Sequence, residues 1–263
     1  MSVGICSEEA LMMIPGLVSI TFRSLTKEQI CVLMEECGLT AVEWGGDVHV
    51  PSGSPQDIAD ACELSARHRI RTVAYGSYFK PWEESETSRA AIRADIGCAR
   101  ALGTSTIRVW AGQKGSADIT AAERANVVRE LQDACDAAKN SGLTVSLECH
   151  NWTLTDDWAS SLRLLEEVNR DNLKLYWQPN QFRDTEYNLE ALRRQLPYIT
   201  NVHVFSWEGK DHFPLEKHES IWRQYLDILS ASGRDHNLLL EFMYNNEPEQ
   251  LRTDAAVLKR WLV

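Results

Sequence analysis

Long apolar runs are missing from this chain: nowhere in its 263 residues does hydrophobic sequence approach the roughly 18 residues that a membrane-spanning helix needs. Membrane insertion is not expected. Paired cysteines are missing too. The seven cysteines (Cys6, Cys31, Cys37, Cys62, Cys98, Cys135, Cys149) are odd in number and include no CxxC, so they read as reduced thiols used mainly as small hydrophobes. Basic charge is scarce. Lys and Arg number 27 against 38 Asp and Glu, the net charge is -11 and no basic run compensates locally. Nucleic acid is therefore not expected as a partner, and a small neutral or polar ligand fits better than a polyanion. The start, Met1 to Ile14, carries Glu8 and Glu9 and no basic segment ahead of an apolar core, so it does not read as a secretory signal and a cytoplasmic protein is expected. Linkers and low-complexity segments are absent, and residues 1–263 read as one domain.

What is present is a regular switch between short β-rich runs and longer helical stripes. The strand candidates are Leu17 to Phe22, Thr40 to Trp44, Arg71 to Tyr75, Thr106 to Trp110, Leu143 to Glu148, Asn172 to Gln178, Thr200 to Phe205 and Asn237 to Phe242. A capping-box pattern, Thr26 with Gln29, opens the first helix and Gly38 closes it. Further helices are predicted over Pro55 to Arg67, Ser88 to Leu102, Ala121 to Asn140, Trp158 to Asn169, Leu189 to Leu196, Ser220 to Ser230 and Glu249 to Leu262, with Gly103, Gly142 and Gly233 at expected left-handed stops. Eight strand–helix units predict an α/β fold, a (β/α)8 TIM barrel. An open doubly wound sheet is the alternative, but no GxGxxG turn follows the first strand.

Four apolar runs in the second half end in a residue able to bind a metal: Glu148, Gln178, His203 and Glu241, spaced by 30, 25 and 38 residues. Each spacing fits one strand, one helix and two loops. Each donor would then stand at the same end of a successive parallel strand, where the loops of a barrel converge on one bowl. Strand alternation puts Glu148 and His150 on one face and Leu147 and Cys149 on the other. In the same way Ile107 and Val109 face the helices while Arg108 and Trp110 face inward. A buried arginine needs a partner, so Arg108 is either half of an ion pair or a substrate contact. Glu43, His49, Tyr75, Arg108, Trp110 and His150 lie at or just beyond strand ends and are candidate substrate contacts, with packing as the competing role for Tyr75 and Trp110. Lys210 and His212, in the polar loop from Trp207 to Pro214, are candidate lid contacts. Trp44, Trp82, Trp110, Trp152, Trp177 and Trp207 fall where they could rim the bowl, whereas Trp222 and Trp261 read as core. His68 and His236 read as solvated surface residues.

The segments Glu148-Cys149-His150-Asn151, Asn201-Val202-His203-Val204 and Leu240-Glu241-Phe242, a polar donor after the sixth strand, and Ala41-Val42-Glu43-Trp44 followed by His49 carry a resemblance over essentially the whole chain. Together they resemble the sugar phosphate isomerase/epimerase family of the xylose isomerase-like TIM barrels. The resemblance implies one divalent metal ion (manganese, magnesium or zinc) held by Glu148, Gln178, His203 and Glu241. It also implies Glu148 and Glu241 as the acid/base pair of a sugar or polyol-ketone isomerase/epimerase, which transfers a proton through a metal-stabilised enediolate. One departure matters: the family has Asp at the sixth-strand position and His three residues later, where this chain has Gln178 and Gln181. A neutral amide there lowers the expected metal affinity and raises the Lewis acidity felt by a substrate oxygen. Three other readings compete. One is a lyase of the inosose dehydratase type, with His150 or His212 as the acid. Another is a non-catalytic sugar-binding barrel. The third, a three-metal nuclease, is disfavoured by the acidic charge and the seven histidines. The expected partner is a small sugar or sugar-like molecule. The substrate, its stereochemistry and any homo-oligomer stay open.

Overall fold

The computed structural model describes residues 13–82 and 85–263; Cys6 and most of the segment read against a secretory signal lie outside the described residues. Eight parallel strands close into a barrel: β1 (Met13–Val18), β2 (Ala41–Gly45), β3 (Arg71–Gly76), β4 (Thr106–Val109), β5 (Thr144–Glu148), β6 (Leu173–Trp177), β7 (Ile199–Val204) and β8 (His236–Leu240). Closure is made by β1 against β8, in register from Met13 opposite His236 to Leu17 opposite Leu240. Eight helices wrap the strands: α1 (Lys27–Cys37), α2 (Pro55–Arg67), α3 (Glu86–Ala101), α4 (Ala121–Lys139), α5 (Trp158–Val168), α6 (Thr185–Gln195), α7 (Glu219–Ser230) and α8 (Pro248–Trp261). A small antiparallel hairpin, Trp207–Glu208 with Asp211–His212, stands on the loop after β7. Among the described residues no helix is long and apolar enough to cross a membrane.

Local chemistry sets the helix starts. Thr26 and Thr120 each accept from a backbone N–H three residues on, and the Gln29 and Glu123 side chains reach back, so both form complete capping boxes. Ser54, Ser85, Asp157 and Asp184 cap in the simpler way, each worth about 1 kcal/mol. Gly103, Gly142 and Gly233 take the expected left-handed conformation.

Two elements, the first strand and α6, depart furthest from the sequence expectation, for identifiable reasons. The first strand runs over Met13–Val18, and Ser19–Phe22 forms a 3-10 turn instead. Pro15 and Gly16 hide the strand from a propensity reading. Gly16 is required because an added Cβ would meet the Ala41 carbonyl oxygen at 2.2 Å. Helix α6 begins at Thr185, because its first turn is polar and capped by Asp184.

Alternation sorts the packing into two layers. Ile107, Val109, Val145, Leu147, Val202 and Val204 point outward into the large core shared with the helices. Inside the barrel the apolar cluster is small: Val18, Ile20, Ala41, Val73, Ala74, Tyr176 and Leu239. Above that plug the interior turns polar and charged, and the site begins there.

Candidate active site

The four predicted donors converge. His203, inward on β7, presents Nδ1 to Gln178 Oε1 at 2.8 Å, Glu241 Oε2 at 3.1 Å and Glu148 Oε1 at 3.8 Å. One ligand atom from each of Glu148, His203 and Glu241 lies within 4.8 Å of the others. Donors about 2.1 Å from a common ion stand about 3 Å apart when adjacent and about 4.2 Å apart when opposite, and the distances from His203 Nδ1, 2.8, 3.1 and 3.8 Å, are of this order. A single imidazole hydrogen cannot satisfy three oxygens at once, whereas an ion between them can.

The charge balance points the same way. Arg108 spans the interior, its Nε donating to Glu43 Oε1 and its Nη1 to Glu148 Oε2, both at 2.8 Å. Glu43 and His203 are 0% exposed and Arg108 2%. Three buried carboxylates (Glu43, Glu148, Glu241) against one guanidinium leave two negative charges, which one divalent cation balances when His203 is neutral. Burial pushes the Glu43 carboxyl up, but the Arg108 guanidinium together with His203 and Tyr176 outweighs it and holds the group at about 2. Burial likewise opposes charge on Arg108, and Glu43, Glu148 and Glu241 more than offset this and keep it protonated. At His203 burial disfavours the cation, while Glu241 and Glu43 raise the imidazole to about 10. A proton and a divalent ion therefore compete for Nδ1. The other ring nitrogen, Nε2, faces Glu43 Oε2 at 3.6 Å, just beyond hydrogen-bond reach.

Gly76 makes room for this network. It pairs in register with Arg108 on β4, and a Cβ there would stand 2.6 Å from Glu43 Oε1 and 2.7 Å from Arg108 Nη2. Gly76→Ala should lower stability by about 1–3 kcal/mol, read as a drop in the denaturant midpoint. An unchanged midpoint would show that the ion pair tolerates displacement.

Several expected substrate contacts are placed elsewhere. Glu43 and Arg108 are committed to each other, so Arg108 takes the ion-pair role that the sequence left open. His49 is buried between Ser19 Oγ at 3.1 Å and the Leu25 carbonyl at 3.2 Å, where burial lowers its basicity, so it is structural. Tyr75 donates to the Val50 carbonyl at 3.1 Å and packs in the core. Trp44 bonds Ser65 Oγ and Trp177 packs edge-on against Trp222 and Tyr225, so neither rims the bowl. His236 is buried by barrel closure and bonds Ser232 Oγ, contrary to the solvated expectation, and His68 pairs with Glu35. Lys210 is exposed at the hairpin tip. Cys149 turns outward toward Gln195, as alternation predicts.

Two aromatic walls flank the donors. On one, Trp110 stacks on His150 at 4.8 Å and 18°, with Tyr78, Trp152 and Phe182 continuing the contact chain. On the other, Trp207 stacks on Phe205 at 4.2 Å and on His212 at 4.3 Å, and its Nε1 donates to the Phe242 carbonyl. Burial makes His212 less basic. His150 Nδ1 lies 2.7 Å from the Asn151 carbonyl. A carbonyl only accepts, so Nδ1 carries the hydrogen, and in the neutral ring Nε2 is the nitrogen with the lone pair. Two participants had escaped the sequence reading. Tyr176 packs on the His203 ring at 4.6 Å and lies on the Gln178 face of its strand, a signal that alternation offered. Lys80, in the loop after β3, had no periodic signal.

Comparison with known proteins agrees with this architecture. A family model described as xylose isomerase-like TIM barrel matches residues 31–261. A 3-dehydroshikimate dehydratase of Bacillus anthracis is 44% identical over 178 residues, covering 59% of this chain and 62% of that protein, so the match spans less than two thirds of its length. The crystal structure of the probable 3-DHS dehydratase AsbF from Bacillus anthracis superposes with a TM-score of 0.79 at 21% identity, over 94% of this chain and 99% of that one. An L-ribulose 3-epimerase structure gives 0.74 at 16% identity, over 95% of each chain. At such identities the structures speak for the fold alone.

Proposed function

The chain belongs to the xylose isomerase-like TIM barrel family, and from that premise we propose that it is a metal-dependent lyase that removes water from a hydroxylated ring ketone of the dehydroshikimate kind. Glu148, Gln178, His203 and Glu241 would hold the ion. When bound, a divalent cation supplies Lewis acidity that acidifies the carbon beside a substrate carbonyl. The remaining work falls to side chains. His150 Nε2, with its lone pair free and its ring braced on Trp110, takes the proton from that carbon. The electron pair left behind forms the double bond, the β C–O bond breaks, and the departing hydroxide leaves as water with the proton that His150 returns.

The observation that carries this reading is the 2.8 Å contact between Arg108 Nη1 and Glu148 Oε2. A two-glutamate relay, as an epimerase needs, requires both Glu148 and Glu241 to turn a free oxygen to the substrate, and at Glu148 Oε2 is taken by Arg108 while Oε1 is turned toward His203. Elimination needs only one mobile base. The sequence match to a dehydratase supports the same choice. The epimerase stays as second reading because Glu148 and Glu241 do approach one ligand position from separate strands.

Incubation of the manganese-loaded protein with 3-dehydroshikimate in D2O, followed by proton NMR, tests the proposal. Loss of water with growth of aromatic signals is expected, whereas deuterium uptake without loss of water contradicts it. His150→Asn should slow the elimination by about 10²–10⁴-fold while manganese binding stays unchanged. Turnover within a few-fold of the parent enzyme would take the base role away from His150.

A further inference from the structure

Resting on the reading above, the question left is what part of a substrate this bowl recognises. The charges nearest the donors are already balanced by Arg108 and one divalent cation, so an anionic substituent would need a cation from outside that set. Most cations around the bowl are engaged: Arg23 pairs with Asp47, Lys114 with Glu123 and Lys217 with Glu208. Arg183 and Lys210 are exposed to solvent.

Lys80 differs. Among the described residues it has no carboxylate partner, and it is half-buried with its Nζ 3.7 Å from the centroid of the Trp110 ring. That indole is the one stacked on His150, two residues beyond Glu148 on the inward face. A half-buried ammonium held on an aromatic face loses much of its hydration, and its hydrogens stay available to an acceptor. It therefore stands beside the group that moves the proton, with unspent donor capacity and, among the described residues, no competing anion.

We propose that Lys80 binds a carboxylate carried by the substrate, so that the enzyme selects a carboxylated ring over a neutral sugar. One ammonium matches one monoanion. The acid group on Lys80 would orient the substrate ring with its reacting carbon toward His150. Lys80 is thus a specificity-determining residue, and its effect should appear in affinity before it appears in rate.

The probes are 3,4-dihydroxybenzoate and 3,4-dihydroxybenzamide, nearly isosteric molecules that differ in the charge tested, titrated into manganese-loaded protein with tryptophan fluorescence as the readout. The parent protein should bind the acid at least about tenfold more tightly than the amide, the worth of one charge-assisted hydrogen bond. Lys80→Met should abolish that preference with little change in affinity for the amide, and Lys80→Arg should retain most of it. Equal binding of the two probes by the parent protein, or a preference that survives in Lys80→Met, overturns the proposal. If the preference is absent while dehydration of 3-dehydroshikimate persists, the lyase reading stands and the role of Lys80 falls. If the preference depends on Lys80 but no elimination occurs, carboxylate recognition stands and the reaction assigned above is the part that fails.

Discussion

Glu241→Gln is expected to reduce turnover by at least about 10³-fold and to weaken divalent-ion binding by about two orders of magnitude, while the protein stays folded. The substitution keeps the shape and one oxygen donor, so the 4% exposed side chain should still fill its place after β8. What it removes is charge. Glu241 Oε2 stands 3.1 Å from His203 Nδ1, and with Gln178 already neutral the amide would leave Glu148 as the sole carboxylate facing the ion. Glu148 in turn shares its charge with Arg108. Calorimetric titration with manganese reads the affinity and a steady-state assay reads the rate. Equal manganese affinity in parent and variant would remove Glu241 from the ligand set.

Arg108→Met should be the most damaging substitution for stability. The guanidinium is 2% exposed and donates to two carboxylates, so its loss leaves Glu43 and Glu148 buried without either of those hydrogen bonds and with His203 as their nearest remaining cation. Breaking a buried pair from one side costs about 3–5 kcal/mol, a large share of a domain's stability. A pH signature follows. Glu43 is held at about 2 in the fold against 4.5 ordinarily, so it contributes stability that is full above pH 4.5 and lost as pH falls toward 2. Without Arg108, desolvation acts unopposed by the guanidinium and Glu43 should protonate at a higher pH than in the parent. Urea melts between pH 3 and pH 7 check both points: the variant should lose stability at every pH, and least at the acid end. A loss under about 1 kcal/mol at pH 7 would mean that the interior compensates in a way the pairing does not reveal.

Much of this site could be read from the chain because β-strands alternate strictly. Glu148, His203 and Glu241 are legible as candidate donors at the ends of apolar runs, and the fold brings them together, while alternation alone turns Arg108 inward and Cys149 outward. Register in a closed barrel leaves no freedom on that point. The errors share a different origin. Glu43 had the right type and position for a ligand contact, but its role was decided by Arg108, 65 residues away on another strand. His49 is structural and Tyr75 takes the packing role that its pattern left open, because burial depends on the loop that folds over each side chain. His236 was taken as solvated because barrel closure by β1 is a long-range pairing, and Lys80 was missed because a loop lysine carries no pattern. Gln178, the residue most at odds with the resemblance, keeps a donor oxygen within the cluster, so its neutral charge is compatible with an ion there.

Diffraction from crystals grown with manganese, recorded for its anomalous signal, tests the central claim most directly. The account predicts one strong peak per chain within about 2.1–2.3 Å of donor atoms from Glu148, Gln178, His203 and Glu241. A map with no peak among these four side chains, or with the ion held by a different set, would contradict it.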